Sequence, residues 1–345
     1  MSKERLPRVP IHSMPGSWCL AVLASLVMGL FLSTSLEAQQ PKAAAPAKGA
    51  KSADDDKDKI PEPVDLKGTD LLTKDGVALQ ATYYPSNQGK KAVPVVLLHS
   101  FKGSREEFAD LGEYLQKQGY AVLAPDLRGH GESATQTGGG TTVKTDPTKM
   151  PSSEFVNMYA QDMEAIRSFL VKENDEGKLN LNALTIVGSE MGASVAVHFA
   201  GYNNCLLPRV EPGVRRAPSP DVKGLVLISP AVSNPPTLSI MTGLKTYPAL
   251  KSELPMLILV GNGTRKAIVD ADRITKLIKP YHPEPQNGVQ KQTFFYVKLA
   301  TSLEGAKLFS DAARPLNINA IIAKFLNTCV VDQSYPWRER RMSGN

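Results

Sequence analysis

The chain has 345 residues, 42% of them hydrophobic, enough to bury a large core in one domain or in two small ones. Its formal charge is +6, but lysine and arginine are dispersed, and part of the excess sits near the N-terminus and in Arg338, Arg340 and Arg341, so no nucleic-acid-binding surface is indicated. The three cysteines, Cys19, Cys205 and Cys329, are too few for a disulfide framework, and the last two are too far apart to suggest a metal pair. One disulfide in an oxidising compartment and two separate thiols both remain open for them.

Lys3, Arg5 and Arg8 precede an apolar run over residues 18–32 and a small-residue region ending at Ala38. That order predicts a secretory signal peptide over residues 1–38 and an exported protein, periplasmic or secreted. The alternative is an uncleaved membrane anchor formed by residues 18–32, which is short for a spanning helix of about 20 apolar residues. Residues 39–62 are Ala, Pro, Lys and Asp with almost nothing large and apolar, and are expected to form a flexible, disordered linker. Its run Asp54-Asp55-Asp56-Lys57-Asp58 lacks the spaced ligands and glycine of a calcium loop, so no metal is expected there.

After the linker, residues 70–84 alternate around Lys74-Asp75-Gly76, which predicts a β-hairpin with Asp-Gly in its turn. The apolar run 93–99 predicts a buried parallel strand. Phe108, Leu111 and Leu115 give residues 105–118 a helical spacing that Gly119 ends. Further strands are predicted at 120–125, 183–188, 222–229, 256–260 and 293–299, and helices at 154–171, 191–202, 267–278 and 318–327. This alternation implies a mostly parallel central sheet with helices on both faces and an antiparallel hairpin at its start, in one domain over residues 63–328. Residues 329–345 are read as a C-terminal tail. The loops 133–153 and 232–255 follow strands at the carboxyl edge, where open α/β sheets bind ligands, and neither predicts a large helical cap.

Three segments in chain order carry a resemblance to a known family. Leu97-Leu98-His99-Ser100-Phe101-Lys102-Gly103-Ser104 resembles a His-Gly oxyanion loop, with Ser100 where glycine is usual. Ala124-Pro125-Asp126-Leu127-Arg128-Gly129-His130-Gly131-Glu132-Ser133 looks like the turn after the fourth strand of many members. Ile186-Val187-Gly188-Ser189-Glu190-Met191-Gly192-Ala193-Ser194 aligns with the nucleophile elbow. Together these resemble the α/β-hydrolase superfamily, and the resemblance implies the α/β-hydrolase fold without a large cap.

The elbow needs its flanking glycines because the strand turns so tightly into the helix, and Gly188 and Gly192 keep that spacing. The residue at the apex is Glu190, where the family pattern has serine. Ser189, one step earlier, is expected to point away. In some relatives an aspartate attacks as a carboxylate nucleophile, but glutamate is one methylene longer and that mechanism also needs a histidine. The resemblance places the histidine after the last strand, where Val297-Lys298-Leu299-Ala300-Thr301-Ser302-Leu303-Glu304-Gly305 has none. The five histidines are His12, His99, His130, His198 and His282. His282, in Pro-Tyr-His-Pro, is expected in a surface turn, and His198 is expected to be packed or solvated rather than catalytic. The family's acid position falls near Thr264, and Asp270 and Asp272 are expected to complement a helix start.

All three triad roles are therefore unfilled by their usual residue types. The first expectation is an exported, non-catalytic member with a retained scaffold or binding role, in which the Glu190 carboxylate accepts from the oxyanion-hole-like amides of Ser100 and Met191. The first alternative is an ester- or other acyl-bond hydrolase rebuilt around Glu190, with Ser189, Asp126 or His282 as helpers. The second is a tethered protein-interaction module. No cofactor is implied. A small-molecule or protein ligand would bind at the carboxyl edge of the sheet, and membrane contact would come only through an uncleaved N-terminal segment.

Overall fold

A computed structural model of the chain describes residues 59–340 apart from 139–140, 206–219, 234, 236, 283 and 285–291. The predicted signal peptide and most of the linker lie outside the described residues, as does the Cys205 side chain. Every described residue falls in one compact unit, Lys51–Asn345.

The chain opens with β1 (Val64–Leu66) and β2 (Gln80–Tyr84), then β3 (Pro94–Leu98), α1 (Ala109–Lys117) and β4 (Ala121–Asp126). A small antiparallel hairpin, β5 (Thr135–Gly138) and β6 (Thr141–Lys144), follows. Helices α2 (Ser152–Asn157) and α3 (Met163–Asp175) are joined by a π-helical turn. Next come β7 (Leu184–Ser189), α4 (Met191–Cys205), β8 (Val222–Ile228), the short α5 (Ile240–Thr246) and α6 (Ala249–Glu253), and β9 (Met256–Gly261). The chain then forms α7 (Arg265–Ile278), β10 (Phe294–Leu299) and α8 (Ile318–Cys329).

Eight strands form one sheet in the order β1-β2-β4-β3-β7-β8-β9-β10. It is antiparallel at β1, β2 and β4 and parallel from there on. Side chains alternate across a strand, so β3 feeds two cores. Val95 and Leu97 face Leu111 and Leu115 of α1 and Phe325 of α8, whereas Val96 and Leu98 face Ile166 of α3 and Phe199 of α4. Because β3 is buried on both faces, it reads as an unbroken apolar run rather than an alternating one.

The predicted turn at Asp75-Gly76 forms, with Gly76 at φ +86°, but its arms meet only in the single bridge Leu72–Ala78. β2 pairs antiparallel with β1 over three residues and with β4 over five, and the alternation did not reveal β1 because that strand is only three residues long.

The C-terminal tail does not stand apart, and the packed body continues past Thr328 to Arg340. Residues 335–340 run as an extended strap over the amino edge of the sheet. Side-chain amides of Asn180, Asn182 and Asn174 donate to the carbonyls of Tyr335, Pro336 and Arg338 at 2.7, 3.0 and 2.9 Å. Trp337 donates its indole N–H to Leu179 O at 3.1 Å and lies under Lys90 Nζ, 3.9 Å from the ring centre. Arg340 pairs with the buried Asp221 at 2.8 Å.

Candidate functional site at the elbow

β7 ends at Ser189, and α4 begins at Met191, so the whole reversal falls on Glu190. Its φ is +47°, a left-handed conformation that costs a non-glycine residue about 1 kcal/mol or more. The Glu190 N–H donates to Ile228 O at 2.9 Å, tying the apex to the next strand. Gly188 lies against the Gly192 backbone, and Gly192 against the carbonyls of Leu98 and His99. Ser189 is fully buried, and its hydroxyl has no hydrogen-bond partner among the described residues, so it does not share the apex.

The expected contact between Glu190 and the Ser100 amide is absent. Instead the Ser100 N–H donates to Glu107 Oε2 at 2.9 Å, and the Ser100 hydroxyl donates to Glu107 Oε1 at 2.5 Å. The physical reason lies in residues 105–108, which form a 3₁₀ turn that brings Glu107 back over the oxyanion loop. Burial pushes the Glu107 carboxyl above its ordinary range, and the two bonds from Ser100 pull it back. The Glu190 carboxylate makes no hydrogen bond among the described residues, with Met191 or otherwise.

Where the resemblance places a histidine, a glycine sits against the apex. Gly305 has φ +55°, and a Cβ added there would lie 2.1 Å from Glu190 Oε1. Its N–H donates to Ser229 Oγ at 2.8 Å, and Ser229, at the end of β8, is itself left-handed at φ +44°. Phe309, four residues on, stacks edge-on against Phe108 at 5.0 Å and fastens this segment to the Glu107 turn. Thr264, near the acid position, is the N-cap of α7. Its hydroxyl accepts from Ala267 N–H at 3.2 Å, and its own N–H donates to Glu304 Oε1 at 2.7 Å. Asp270 and Asp272 lie beyond the first turn of α7, which starts at Arg265. They pair with Lys266 and Lys298, each at 3.0 Å, rather than with the helix terminus.

None of the described histidines reaches the apex through a hydrogen bond. The His99 Nδ1–H donates to Ser100 O at 2.8 Å, while Nε2 accepts from Leu127 N–H at 3.0 Å, and burial holds the ring neutral by lowering it to about 3. His130 donates to Arg128 O at 2.9 Å. His198 donates to Ser239 O at 3.1 Å and stacks on Tyr159, so of the two expected states, packed or solvated, it takes the packed one. His282 is buried rather than in a surface turn, because Nδ1 shares a 2.7 Å hydrogen bond with Thr293 Oγ1. Asp126 is unavailable as a helper, since Arg105 N–H and the Glu132 amide each take one of its oxygens and the Arg105 guanidinium pairs with it at 2.6 Å.

Glu190 is thus a half-buried carboxylate without a hydrogen-bond donor, beside two further acids. Burial first, then Glu107 and Glu304, push its carboxyl above the ordinary glutamate range, against weaker pull from Lys266 and Lys307. A carboxyl raised in the folded state favours folding while protonated and loses that contribution as pH rises through its folded value. Glu190→Gln should therefore stabilise the protein near neutral pH by about 0.5 kcal/mol after allowance for solvent screening, and give no gain near pH 4. Thermal melts of both proteins across pH check this, and equal melting temperatures at neutral pH contradict it.

Residues 89–279 match the family described as serine aminopeptidase, S33. That span is more than half of the chain. The chain belongs to this family. It is an α/β-hydrolase by sequence as well as by sheet order. The S33 match includes the elbow but stops at Lys279, before β10 and the Gly305 segment. The fold is similar to the Pyrococcus furiosus esterase Pf2001, with 17% identity and a TM-score of 0.53 over 83% of this chain and 98% of that one. It is also similar to a Pyrobaculum calidifontis esterase, with 15% identity and a TM-score of 0.51 over 79% of this chain and 87% of that one. At such identities the likeness is one of fold. No curated protein matches the sequence. Among the described residues no group of three or more His, Cys, Asp or Glu is placed to hold a metal ion, and no helix is long and apolar enough to cross a membrane.

Glu107, Ser229 and Gly305 were not singled out as site residues by sequence. Read as part of a helix starting at residue 105, Glu107 looks like an ordinary surface position. Gly305 is visible in the sequence only as the end of a stretch without histidine.

Proposed function

We propose that this S33-family chain is an exported, non-catalytic α/β-hydrolase homologue that keeps the scaffold and has given up acyl transfer. The observation that carries this reading is the pair of bonds from Ser100 N–H and Oγ–H to Glu107. An oxyanion hole must offer a free donor where charge develops, and here an internal carboxylate already holds it. Glu190 at the apex and Gly305 against it support the same reading, because no hydrogen-bonded base touches the carboxylate. Export rests on the order of charge, apolar run and small residues at the N-terminus.

The purified chain is expected to hydrolyse p-nitrophenyl acetate, p-nitrophenyl butyrate and amino-acid p-nitroanilides no faster than buffer, with Glu190→Gln indistinguishable from wild type. Turnover that disappears in Glu190→Gln overturns the proposal. It would establish the second reading, an acyl hydrolase rebuilt around Glu190, which the family and the esterases of similar fold favour. Export is checked by N-terminal sequencing of the protein recovered outside the cytoplasm, which is expected to begin at Gln39. A start at Met1 contradicts cleavage.

A further inference from the structure

A well-formed cleft lies away from the elbow. It lies beside the turn after β4, under the β5–β6 hairpin and the start of α2, and encloses about 430 Å³, within the usual range of small-ligand sites. Arg128 forms its floor, 2% exposed, and is fixed by three carboxylates. Its Nε donates to Asp162 Oδ1 at 2.7 Å, and its Nη1 donates to Asp75 Oδ2 at 2.7 Å and Glu154 Oε2 at 2.8 Å. Of these three acids only Glu154 lines the cleft itself. Glu154 keeps about a third of its side-chain surface open to solvent, at 35%.

The rim carries two lysines beside one acid, Asp146. Lys144 and Lys149 both line it and are exposed. Lys149 reaches Asp146 only at 4.0 Å, and Lys144 makes no ion pair among the described residues. Val77 and Met150 supply an apolar wall between floor and rim. A purely anionic guest meets Glu154 and Asp146, and a purely cationic one meets the two lysines. Only a guest with separated charges of both signs satisfies floor and rim together. We propose that this cleft binds a small zwitterion of dipeptide size, its ammonium group towards Glu154 and its carboxylate towards Lys144.

Calorimetric titration of the full chain with glycyl-leucine tests this, alongside N-acetyl-glycyl-leucine and glycyl-leucinamide, which each lack one charge. Glycyl-leucine is expected to bind, and each capped form to bind about threefold to fivefold more weakly, the worth of one exposed ion pair. The exposed substitution Lys144→Gln should weaken glycyl-leucine by a similar factor and leave glycyl-leucinamide unchanged, because the lost pair is the one with the carboxylate. Absence of binding at about 10 mM, equal affinity for all three probes, or an unchanged affinity in Lys144→Gln each overturns the proposal.

Discussion

Arg128→Met is expected to destabilise the protein by about 3–5 kcal/mol near pH 8, the cost of leaving a buried carboxylate without its partner. Asp162 is fully buried, and it accepts from both the backbone N–H and the guanidinium of Arg128. Burial pushes its carboxyl up to about 7 even against the pull of Arg128. With the arginine gone that pull vanishes, and Asp162 must fold protonated. The loss should therefore be smaller near pH 5, where the acid is already neutral, than near pH 8, where it must take up a proton. Asp75 supplies the opposite trend in the wild type. Arg128 lowers it to about 2, so its contribution is present above about pH 4 and is lost as pH falls through the folded value. Urea unfolding of both proteins at the two pH values measures the difference. A loss below about 1 kcal/mol, or one independent of pH, means that the network is held by packing and not by charge.

Gly192→Ala is the second large expectation. A Cβ on residue 192 would lie 2.1 Å from Leu98 O, 2.6 Å from Leu98 C and 2.8 Å from His99 O. All three are backbone atoms of β3 and the loop after it, so no side-chain rotation relieves the clash. Either the elbow helix moves away from the sheet or β3 shifts in register with β7, and a cost of about 3 kcal/mol is expected. The same shift would move Ser100, so the Ser100 amide resonance should change even if the variant still folds. An alanine variant with unchanged stability and an unchanged Ser100 resonance contradicts the close approach.

The fold was legible because three separate signals agreed. Unbroken apolar runs marked β3 and its parallel neighbours, helical spacing marked the layers on either side, and Gly188 and Gly192 marked the reversal between β7 and α4. The position of Glu190 followed from the elbow spacing. Its surroundings did not, because they depend on where distant backbone turns send short segments. Glu107 is seven residues from Ser100 and reaches it only because residues 105–108 wind as a 3₁₀ turn. Gly305 meets Glu190 through a loop whose sequence carries no motif. The strap was read as a tail because its anchors are asparagine amides and one indole, residue types with no periodic signature.

That strap sets an order of events on the chain as it is made. Trp337 and Leu179 are 158 residues apart, and Arg340 and Asp175 are 165 apart. The segment that leads into β7 is therefore held by residues made long after it. A polypeptide emerging from its N-terminus can assemble sheet and helices early, but the clasp at the amino edge closes only after translation has passed Arg340. Until then the asparagine amides at 174, 180 and 182 lack these carbonyl partners, and the nascent body is left more easily opened than with the strap in place.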